Sequence, residues 1–443
     1  MMAFAAVAAL SMTGCAAVGT APATLGYAAD RPPVTIDFWY MPAGGPIQDQ
    51  AVIKETQEFH AAHPNITVNP VRVSWDDALT RISTASTSGE GPDVTQLGTT
   101  WVGGFSALGA LRPYTAAEIA AVGGQDAFAA ASWSSSHRAG SAEITALPWL
   151  VDARALLYRT DVLAQAGIDP STAFATWESF EATLKKIKDS GGPVQPLAIG
   201  TQNTFGTIHN IAPFIWSAGG DLLDESGTRS RLAEPAAVDA VSYYQRLVAL
   251  YDDPKAMPLS SVDIPAAFAA GTGAVTIDSS QAVADFLDDP DRAGLKAGWA
   301  TAPMPAGKNG RFGFLGGSNL AILKHAKHPQ AAFEWVRFLT GKQSQQRYAV
   351  NSGFWPPRTE AVAGTRLATD PAYDAFREMI DHGRTYPSVP AWITVETVIA
   401  KDFAELWRAP GALSRERVQA ILTRTTADID TALQDKNATG IGR

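Results

Sequence analysis

The sequence predicts an α/β protein in which a parallel or mixed sheet is covered by helices on both faces. Short β-rich runs alternate with helical apolar spacing from Val34 onward, and Gly/Pro turns separate many of them. Hydrophobic residues make up 46% of the 443 positions and charged residues only 18%, which argues against a disordered polymer. Ligands of such sheets bind at the carboxyl ends of strands, in loops that lead into helices.

The first block of the chain alternates strands and helices in regular order. β-branched and aromatic runs predict strands over Val34–Trp39, Ile66–Val73 and Asp93–Leu97. Helical apolar spacing predicts helices over Ile47–Ala62 and Trp75–Ser88. The length favours roughly three domains of ordinary size, or two larger ones.

A second block begins near Ala146 and continues the alternation. Thr176 is a fair N-cap for one of its helices, although Ser179 is a weak substitute for the glutamate of a capping box. The predicted helices are Asp161–Ala166, Trp177–Ser190, Ala236–Tyr251 and Gln330–Thr340. The predicted strands are Leu197–Gly200, Ala274–Ile277 and Asn319–Leu323.

The N-terminus has the character of an export signal. Residues 1–14 are apolar and small, too short to span a bilayer but suited to a signal peptide. Met12–Cys15 resembles the bacterial lipobox, in which a peptidase cuts before a cysteine that carries lipid. Met12 stands where leucine is usual, and a basic segment before the apolar run is missing.

We therefore expect Cys15 to carry lipid and residues 15–33 to form a flexible tether. Two alternatives stay open. Cleavage after Ala23 or Ala29 would give a soluble secreted protein, and Cys15 could instead be buried in an ordinary N-terminal helix. No later segment has 18 uncharged apolar residues, so the body is expected to be soluble.

Charge and motif content exclude several function classes. The formal net charge is −9 and no basic run is present, which argues against nucleic acid as a partner. One cysteine cannot form an internal disulfide framework or a multi-thiolate metal site. The seven histidines, including His60 and His63, give no metal-ligand spacing, and no nucleotide-binding motif is present. We expect no cofactor and no metal.

Five segments in order resemble the extracellular solute-binding proteins of carbohydrate ABC importers, the maltose-binding-protein-like family. The segments are EFHAAHPNITV, SGEGPDVTQLGTTW, LPWLVDARALLYRTDVLAQAGID with TWESFEATLKKI, GGSNLAILKHAKHPQAAFEWVRFLTGKQSQQRY, and PAWITVETVIAKDFAEL. The resemblance implies a two-lobed periplasmic-binding-protein-like fold (type II), with a ligand cleft between lobes joined by hinge crossovers. It implies that 34–148 and 303–339 form lobe 1, and that 149–297 and 340–443 form lobe 2.

A sugar site needs aromatic plates for the ring faces and planar polar groups for the hydroxyls. Trp177, Trp335 and Trp407 have the helical spacing of core residues, and Trp75, Trp133 and Trp299 are also expected to be structural. Trp39 could belong to the core or to the rim, and Trp216 is undecided. The resemblance implies that four loop or element-start tryptophans contact sugar, with packing as the alternative for each: Trp101, Trp149, Trp355 and Trp392.

Asp152 is the strongest polar candidate, because it stands where the family has a sugar-binding carboxylate. Its alternative is an ordinary surface or capping role. The other candidates that the resemblance implies, each with a structural alternative, are Tyr40, Thr100, His209, Asn210, Gln281, Gly317, Ser318, Arg358 and Glu396. Glycine in the return strand would let backbone N–H groups approach the ligand.

The resemblance implies a binding protein and not an enzyme. It would capture a neutral mono- to trisaccharide or polyol outside the cytoplasm, anchored at the membrane or periplasmic, and deliver it as a monomer to a permease. The permease and its ATPase would be separate chains. The alternatives are a glycoside hydrolase, which needs two carboxylates at one bond, a surface adhesin, and a binder of a glycerophosphodiester. A phosphate would require cleft cations, for which only Arg154 and Arg358 are candidates.

Overall fold

The computed structural model describes residues 26–42, 46–201, 204–260, 263–289, 293–296, 298–435 and 439. Cys15, the signal peptide 1–14 and the first part of the tether 15–33 lie outside these residues, so their roles stay predictions. Within the described segments, no helix has both the length and the apolar character needed to cross a bilayer.

Eight strands form one continuous sheet. Their bounds are β1 Val34–Tyr40, β2 Ile66–Arg72, β3 Val94–Gly98, β4 Leu147–Arg159, β5 Val275–Ser279, β6 Trp299–Ala302, β7 Gly313–Ile322 and β8 Gly383–Arg384. The strand order is β2-β1-β3-β7-β4-β5, with β6 paired to β4 and β8 paired to β7. β1 is parallel to both β2 and β3, whereas β4 and β7 run antiparallel to each other. The sheet is therefore mixed.

Nineteen α-helices of very different length are described around the sheet. The first ten are α1 Pro46–Ala62, α2 Trp75–Ser88, α3 Val102–Ala107, α4 Ala116–Ala121, α5 Ala130–Ser134, α6 Thr160–Gln165, α7 Pro170–Ala173, α8 Trp177–Asp189, α9 Thr204–Ser217 and α10 Pro235–Tyr251. The others are α11 Ile264–Ala269, α12 Ser280–Asp288, α13 Ala293–Lys296, α14 Pro329–Leu339, α15 Lys342–Ser352, α16 Arg366–Thr369, α17 Asp374–Asp381, α18 Trp392–Trp407 and α19 Arg415–Gln434.

Local sequence signals set several helix ends. The Ser74 hydroxyl caps α2 by accepting from the Asp77 N–H, and Gly89, with φ of 74°, ends the helix in the left-handed region. α8 begins with a full capping box, because Thr176 and Ser179 each accept a hydrogen bond from the backbone N–H of the other. Ser179 therefore serves the role that glutamate usually fills.

Two long strands connect the two halves of the sheet. The first part of β4 pairs with β7, and its later part pairs with β5 and β6. A third connection passes beside them, where the backbones of Val151 and Trp355 exchange hydrogen bonds of 2.8 and 3.2 Å. At the same level Gly317 has φ of 126°, and its carbonyl accepts from the Thr99 N–H at 3.1 Å. Three chain crossings thus meet at one level of the molecule.

The apolar core divides at this level into separate clusters. One contains Phe38, Phe59 and Trp335 and packs around β1 and β3, and the largest contains Phe214 and Trp407 with the helices beyond β4 and β5. We use lobe 1 for the part around β1, β2 and β3, and lobe 2 for the part around β5, β6 and α9.

Most sequence-predicted elements occur with small changes at their ends, and α2 has the predicted bounds. Two predictions need correction. Leu197–Gly200 is not a regular strand, because Leu197 forms only isolated bridges, to Asp252 and Val275. The strand predicted from Asn319 begins at Gly313, since the glycine-rich segment before Asn319 is held in the sheet by pairing with β4 and β8.

Two contacts cross the lobe boundaries predicted from the resemblance. α15, which the prediction gives to lobe 2, packs on α1 of lobe 1, where the Arg347 guanidinium lies 2.9 Å from the buried Glu55 carboxylate. The start of 303–339, given to lobe 1, contacts lobe 2: the Ala306 carbonyl accepts from the Trp177 N–H, and the Asn309 N–H donates to the Ser217 carbonyl. The lobe boundaries stay a prediction.

Candidate functional site

A cavity lies between the lobes, where the ends of β3 and β5 approach the crossing strands β4 and β7. It contains about 750 Å³ of empty space, including its open mouth. β3 leads into Thr99 and Thr100, β4 contributes Asp152 and Arg154, and β5 ends at Asp278 and Ser279; all of these residues line the cavity. Strand ends of this kind offer side chains from several elements to one ligand.

Two tryptophans form an aromatic wall of the cavity. Trp75 is the first residue of α2, directly after the Ser74 cap, and Trp101 stands at the N-cap position of α3. Their ring centroids lie 5.7 Å apart with an edge-to-face angle of 65°. Phe354 lines the cavity as well. These rings supply broad apolar surfaces of the kind that pack against the C–H faces of a sugar.

A buried guanidinium connects two carboxylates in the cavity. Arg154 donates from Nε and Nη2 to Asp152 Oδ2, at 3.2 and 2.8 Å, and its Nη1 lies 3.9 Å from Asp278 Oδ1. Asp152 Oδ1 and Asp278 Oδ2 are buried and have no hydrogen-bond partner among the described residues. Each carboxylate therefore keeps one oxygen with which it can accept from a ligand hydroxyl.

Burial changes the titration of Asp278. Burial raises the pKa of Asp278 to about 7, while the nearby Arg154 guanidinium acts in the opposite direction. A group that titrates near neutrality can donate or accept, depending on pH. Asp278 Oδ1 accepts from the Ser279 backbone N–H at 2.7 Å, which fixes the orientation of the carboxyl group.

Ser318 presents a hydroxyl donor to the cavity. Its Oγ accepts from Gln96 Nε2 at 2.9 Å, and the Gln96 carbonyl is itself held by the Met41 backbone N–H at 2.7 Å. Because Gln96 is fixed in this orientation, Ser318 keeps its own proton free to donate to a ligand. Gly317 lines the cavity beside it, and a Cβ there would lie 2.1 Å from the Leu150 carbonyl oxygen.

His209 lines the cavity as an uncharged ring. It stacks on Phe314 with centroids 4.0 Å apart, and burial lowers its pKa well below 6.5, with the Arg154 charge acting in the same direction. At neutral pH the imidazole therefore offers one donor and one acceptor nitrogen.

Seven of the fourteen sequence-predicted ligand residues line this cavity. They are Thr100, Trp101, Asp152, His209, Gln281, Gly317 and Ser318.

Trp149 does not line the cavity, contrary to the prediction. It is 1% exposed and packs in the core of lobe 1, edge-to-face against Phe38 at 5.8 Å and against Tyr348 at 4.7 Å. The pairing of β4 with β7 is irregular between Pro148 and Leu150, so the direction of Trp149 does not follow from the simple alternation of a strand.

Arg358 and Trp355 hold the third crossing and do not reach the cavity. Arg358 donates to the carbonyls of Thr340 and Val122, at 2.7 and 2.6 Å, and its guanidinium lies over Phe128. Trp355 is 6% exposed and belongs to the core of lobe 2. Both were predicted to bind ligand, and both instead fix the chain that passes between the lobes.

Four further predicted residues lie outside the cavity lining. Tyr40 donates to Asp49 at 2.9 Å, Asn210 is buried on α9, and Trp392 is fully buried at the start of α18. Glu396 accepts from the Trp392 indole N–H at 2.7 Å, a bond within α18 itself.

Sequence reasoning missed several residues of the cavity. Trp75 was expected to be structural, Arg154 was considered only for a phosphate, and Asp278, Ser279 and Phe354 were not selected. A usable signal was present for two of them, because Trp75 follows the second predicted strand and Asp278 ends the β5 run. The strand-end rule points to such positions. Among the described residues, no group of three or more His, Cys, Asp and Glu could hold a metal ion.

This chain belongs to the bacterial extracellular solute-binding protein family, whose model matches residues 43–346. The diacetylchitobiose binding protein of Streptomyces coelicolor is 25% identical over 376 residues, which cover 84% of this chain and 83% of that protein. The putative ABC transporter periplasmic-binding protein YcjN of Escherichia coli is 24% identical over 296 residues, which cover 66% of this chain and 65% of that protein.

Solved structures of this family have the same two-lobed fold. The sugar-binding protein MalE of Xanthomonas citri superposes with a TM-score of 0.73 at 25% identity, covering 90% of this chain and 98% of that one. UgpB of Mycobacterium tuberculosis, in complex with glycerophosphocholine, superposes with a TM-score of 0.75 at 20% identity, covering 92% and 100%. The prediction of a two-lobed periplasmic-binding-protein-like fold is confirmed.

Proposed function

We propose that this member of the bacterial extracellular solute-binding protein family captures a neutral sugar of one to three rings, or a related polyol, and delivers it to a membrane permease. A separate ATPase would drive the permease. One observation carries the choice of ligand: an aromatic wall of Trp75 and Trp101 shares a cavity with two carboxylate oxygens that have no hydrogen-bond partner in the described part of the chain.

The charges in the cavity favour a neutral ligand over a phosphodiester. A phosphate would need an available guanidinium or ammonium group. Arg154 is the one cation in the described cavity lining, and it is already bonded to Asp152 and lies close to Asp278. An anionic ligand would face these carboxylates without a free positive charge, so a glycerophosphodiester is the less favoured ligand.

The same carboxylates fit a polyhydroxyl ligand. A buried carboxylate oxygen without a partner costs free energy, which a ligand hydroxyl would remove by donating a hydrogen bond. A sugar hydroxyl in the wrong position would leave that cost in place, so Asp152 and Asp278 would also discriminate between sugars.

The test is a thermal-shift screen with maltose, mannotriose, diacetylchitobiose, sorbitol and glycerophosphocholine. A ligand that binds only the folded state raises the melting temperature, and a concentration 100 times the Kd stabilises by about 2.7 kcal/mol. We expect at least one neutral sugar to stabilise the protein and glycerophosphocholine to have no effect. Asp152→Asn should abolish the shift, while Asp189→Asn, on the exposed face of α8, should retain it.

Two outcomes would contradict the proposal. Stabilisation by glycerophosphocholine alone would make a phosphodiester the ligand. The absence of any shift in a folded sample would argue against capture of these solutes altogether.

Glycoside hydrolysis is the second candidate, because one observation favours it. Asp278, whose pKa burial raises to about 7, shares the cavity with a second carboxyl group, Asp152, and a pair of carboxyl groups at one bond is what acid-base hydrolysis uses. Incubation with maltotriose and measurement of reducing ends distinguishes the two functions. A binding protein returns the trisaccharide intact, whereas a hydrolase releases reducing ends that Asp278→Asn abolishes.

The proposal includes the monomeric state and an extracytoplasmic location, with Cys15 as the lipid attachment site. Cys15→Ala should move the protein from the membrane fraction of the producing bacterium to the soluble fraction or the medium. Unchanged membrane attachment of this variant would remove Cys15 from the proposal and leave the ligand unaffected.

A further inference from the structure

We propose that Gln96 is a positioning residue for the bound sugar, because it directs the proton of the Ser318 hydroxyl toward the ligand. The inference rests on the proposed function for its effect on affinity. Ser318 lines the cavity, whereas Gln96, on β3, does not. Gln96 would therefore act on the ligand through Ser318.

The sheet places the two residues side by side. In the antiparallel pairing of β3 with β7, Gln96 is opposite Leu320 and Ser318 is opposite Gly98. Gln96 and Ser318 are thus diagonal neighbours, at a separation that a long side chain can span. Gly98 has no side chain to occupy the position opposite Ser318. Gln96 Nε2 reaches to within 2.9 Å of Ser318 Oγ.

The backbone of Met41 determines which end of the Gln96 amide faces Ser318. The Met41 N–H can only donate, and it lies 2.7 Å from one end of the amide, so that end is the carbonyl oxygen Oε1. The other end is the NH₂ group, which can only donate, and it faces Ser318 Oγ. Gln96 is 2% exposed and Ser318 is fully buried, so both bonds lie away from bulk water.

Ser318 accepts from Gln96 and therefore keeps its own proton for another partner. A serine hydroxyl has one proton and two lone pairs, and the bond from Gln96 uses one lone pair. Among the residues that the structure describes, none accepts a hydrogen bond from the Ser318 hydroxyl. Because this hydroxyl lines the cavity, a ligand oxygen is the acceptor that remains for its proton.

A neighbouring group in the cavity has the opposite polarity. Asp152 is opposite Gly316 on β7, two residues from Ser318, and its Oδ1 has no hydrogen-bond partner within the described segments. A carboxylate can only accept. The ligand that fits both groups presents a hydroxyl proton to Asp152 and an oxygen lone pair to Ser318. A sugar offers both, since it has hydroxyl groups together with a ring oxygen or a glycosidic oxygen.

The first test needs no ligand and asks whether Gln96 donates to Ser318. The side-chain amide protons of Gln96, assigned with Gln96→Met, are followed by NMR after transfer into D₂O. They should exchange slowly, and Ser318→Ala should accelerate the exchange about tenfold or more, because the NH₂ group loses its acceptor. The Met41 backbone N–H should keep its exchange rate, since its own bond to Gln96 remains. An exchange rate that Ser318→Ala leaves unchanged would overturn the proposal.

The second test is a double-mutant cycle on affinity. Calorimetry is done with maltose, or with diacetylchitobiose if that sugar gives the larger thermal shift. Gln96→Met removes the donor at similar side-chain volume, and Ser318→Ala removes the hydroxyl. We expect each single variant to lose about tenfold in affinity. In the Ser318→Ala background, Gln96→Met should change affinity by less than about twofold, because no hydroxyl remains to be directed.

Two results of this cycle would contradict the proposal. Wild-type affinity in Gln96→Met would mean that the direction of the Ser318 proton does not affect the ligand. An equal loss with and without the Ser318 hydroxyl would mean that Gln96 has a merely structural role.

Gln96→Glu repeats the cycle without loss of the Met41 bond, in case Gln96→Met disturbs the fold. The introduced carboxylate still accepts from the Met41 N–H, and at pH 8.5 its two hydrogen bonds favour the ionised form. It then also accepts from Ser318, which takes the proton away from the ligand. We expect a loss of affinity at least as large as in Gln96→Met, again only where the Ser318 hydroxyl is present.

The same two changes at Gln343, an exposed residue of α15, are the matched controls, and both should leave affinity unchanged. The two kinds of failure are distinguishable. If no sugar binds, the proposed function fails, while the exchange of the Gln96 amide protons still decides whether Gln96 holds Ser318. If a sugar binds and the cycle shows no coupling between these residues, only this inference fails.

Discussion

Gly103 lies so close to the carbonyl group of Ser388 that a Cβ at Gly103 would come within 2.4 Å of that oxygen. Gly103 is in α3, next to the cavity residue Trp101, and Ser388 precedes α18. The same carbonyl accepts from the Ala139 backbone N–H at 2.9 Å. This contact joins lobe 1 to the start of α18, the helix that packs on lobe 2.

Gly103→Ala should destabilise the protein. Gly103 is helical and is not among the glycines with positive φ, so alanine is intrinsically favoured there by up to about 1 kcal/mol. The added Cβ, however, would lie 2.4 Å from the Ser388 carbonyl oxygen, and a backbone atom does not move aside as a flexible side chain does. We expect a net loss of about 1–3 kcal/mol in the free energy of unfolding, measured by urea denaturation.

The control for this variant is Gly411→Ala, because a Cβ at Gly411 would meet nothing within 4 Å. An unchanged free energy of unfolding in Gly103→Ala would mean that the backbone around Ser388 adjusts freely to the added methyl group.

Stability should decrease as the pH rises from about 4 to 7.5. Burial raises the pKa of Asp278 from 3.8 to about 7, so the folded state binds its proton more tightly than the unfolded state does. The resulting stabilisation is complete below pH 3.8 and is lost as the pH rises through 7. One such group contributes at most about 4 kcal/mol. Urea denaturation of the wild type at pH 4.5, 6.0 and 7.5 measures the slope.

Asp278→Asn should reduce this slope, since the amide does not titrate, whereas Asp189→Asn on the surface should leave it unchanged. Glu396, whose pKa burial raises to about 7, adds a second contribution of the same sign. A wild-type stability that rises over this range would contradict the assignment of protonated buried carboxyl groups.

Substitution of Trp149 should lower stability and leave sugar affinity unchanged, whereas substitution of Trp101 should lower sugar affinity. The Trp149 indole N–H has no hydrogen-bond partner among the described residues, so Trp149→Phe removes packing only. We expect a loss of roughly 1–3 kcal/mol in the free energy of unfolding and unchanged sugar affinity. Trp101→Ala removes a cavity wall and should lower affinity about tenfold or more. Denaturation and calorimetry on both variants check the contrast, which loss of binding in Trp149→Phe would contradict.

Gly317→Ala should be strongly destabilising. Gly317 has φ of 126°, and a Cβ there would lie 2.1 Å from the Leu150 carbonyl oxygen. Gly310 has φ of 107°, but a Cβ there would meet no atom within 4 Å. Gly310→Ala therefore measures the free-energy cost of the positive φ alone, without a steric clash. We expect Gly310→Ala to cost about 1 kcal/mol and Gly317→Ala at least about 2 kcal/mol more in urea denaturation. Equal losses would mean that the crossing strands adjust freely at Gly317.

Local signals made the elements of lobe 1 predictable. α2 has the predicted bounds because Ser74 and Gly89 set its ends through their own hydrogen bonds and backbone angles. The start of β7 was missed because Gly313 and the glycines after it have no strand preference of their own. Pairing with β4 and β8 holds them in the sheet, and a single sequence does not contain that information.

About half of the predicted binding residues line the cavity, and the reason is related. Residues next to a recognisable strand end, such as Thr100 and Trp101, follow from chain order. Asp278 and Arg154 come together only through the pairing of β4 with β5, in which Arg154 is opposite Ser279. Trp149 was misassigned because the face to which a strand residue points depends on the register of the crossing strands.

The route of the chain through β3 and β7 has a consequence for biosynthesis. Gln96 and Ser318, hydrogen-bonded on these adjacent strands, are separated by 222 residues in sequence. Lobe 1 cannot complete its sheet until β7 has been made, and contacts this distant slow folding because loop closure precedes any gain in stability. The order of strands that builds the cavity therefore also makes the completion of lobe 1 wait for the synthesis of β7, so the early part of the chain stays without its sheet partner during most of translation.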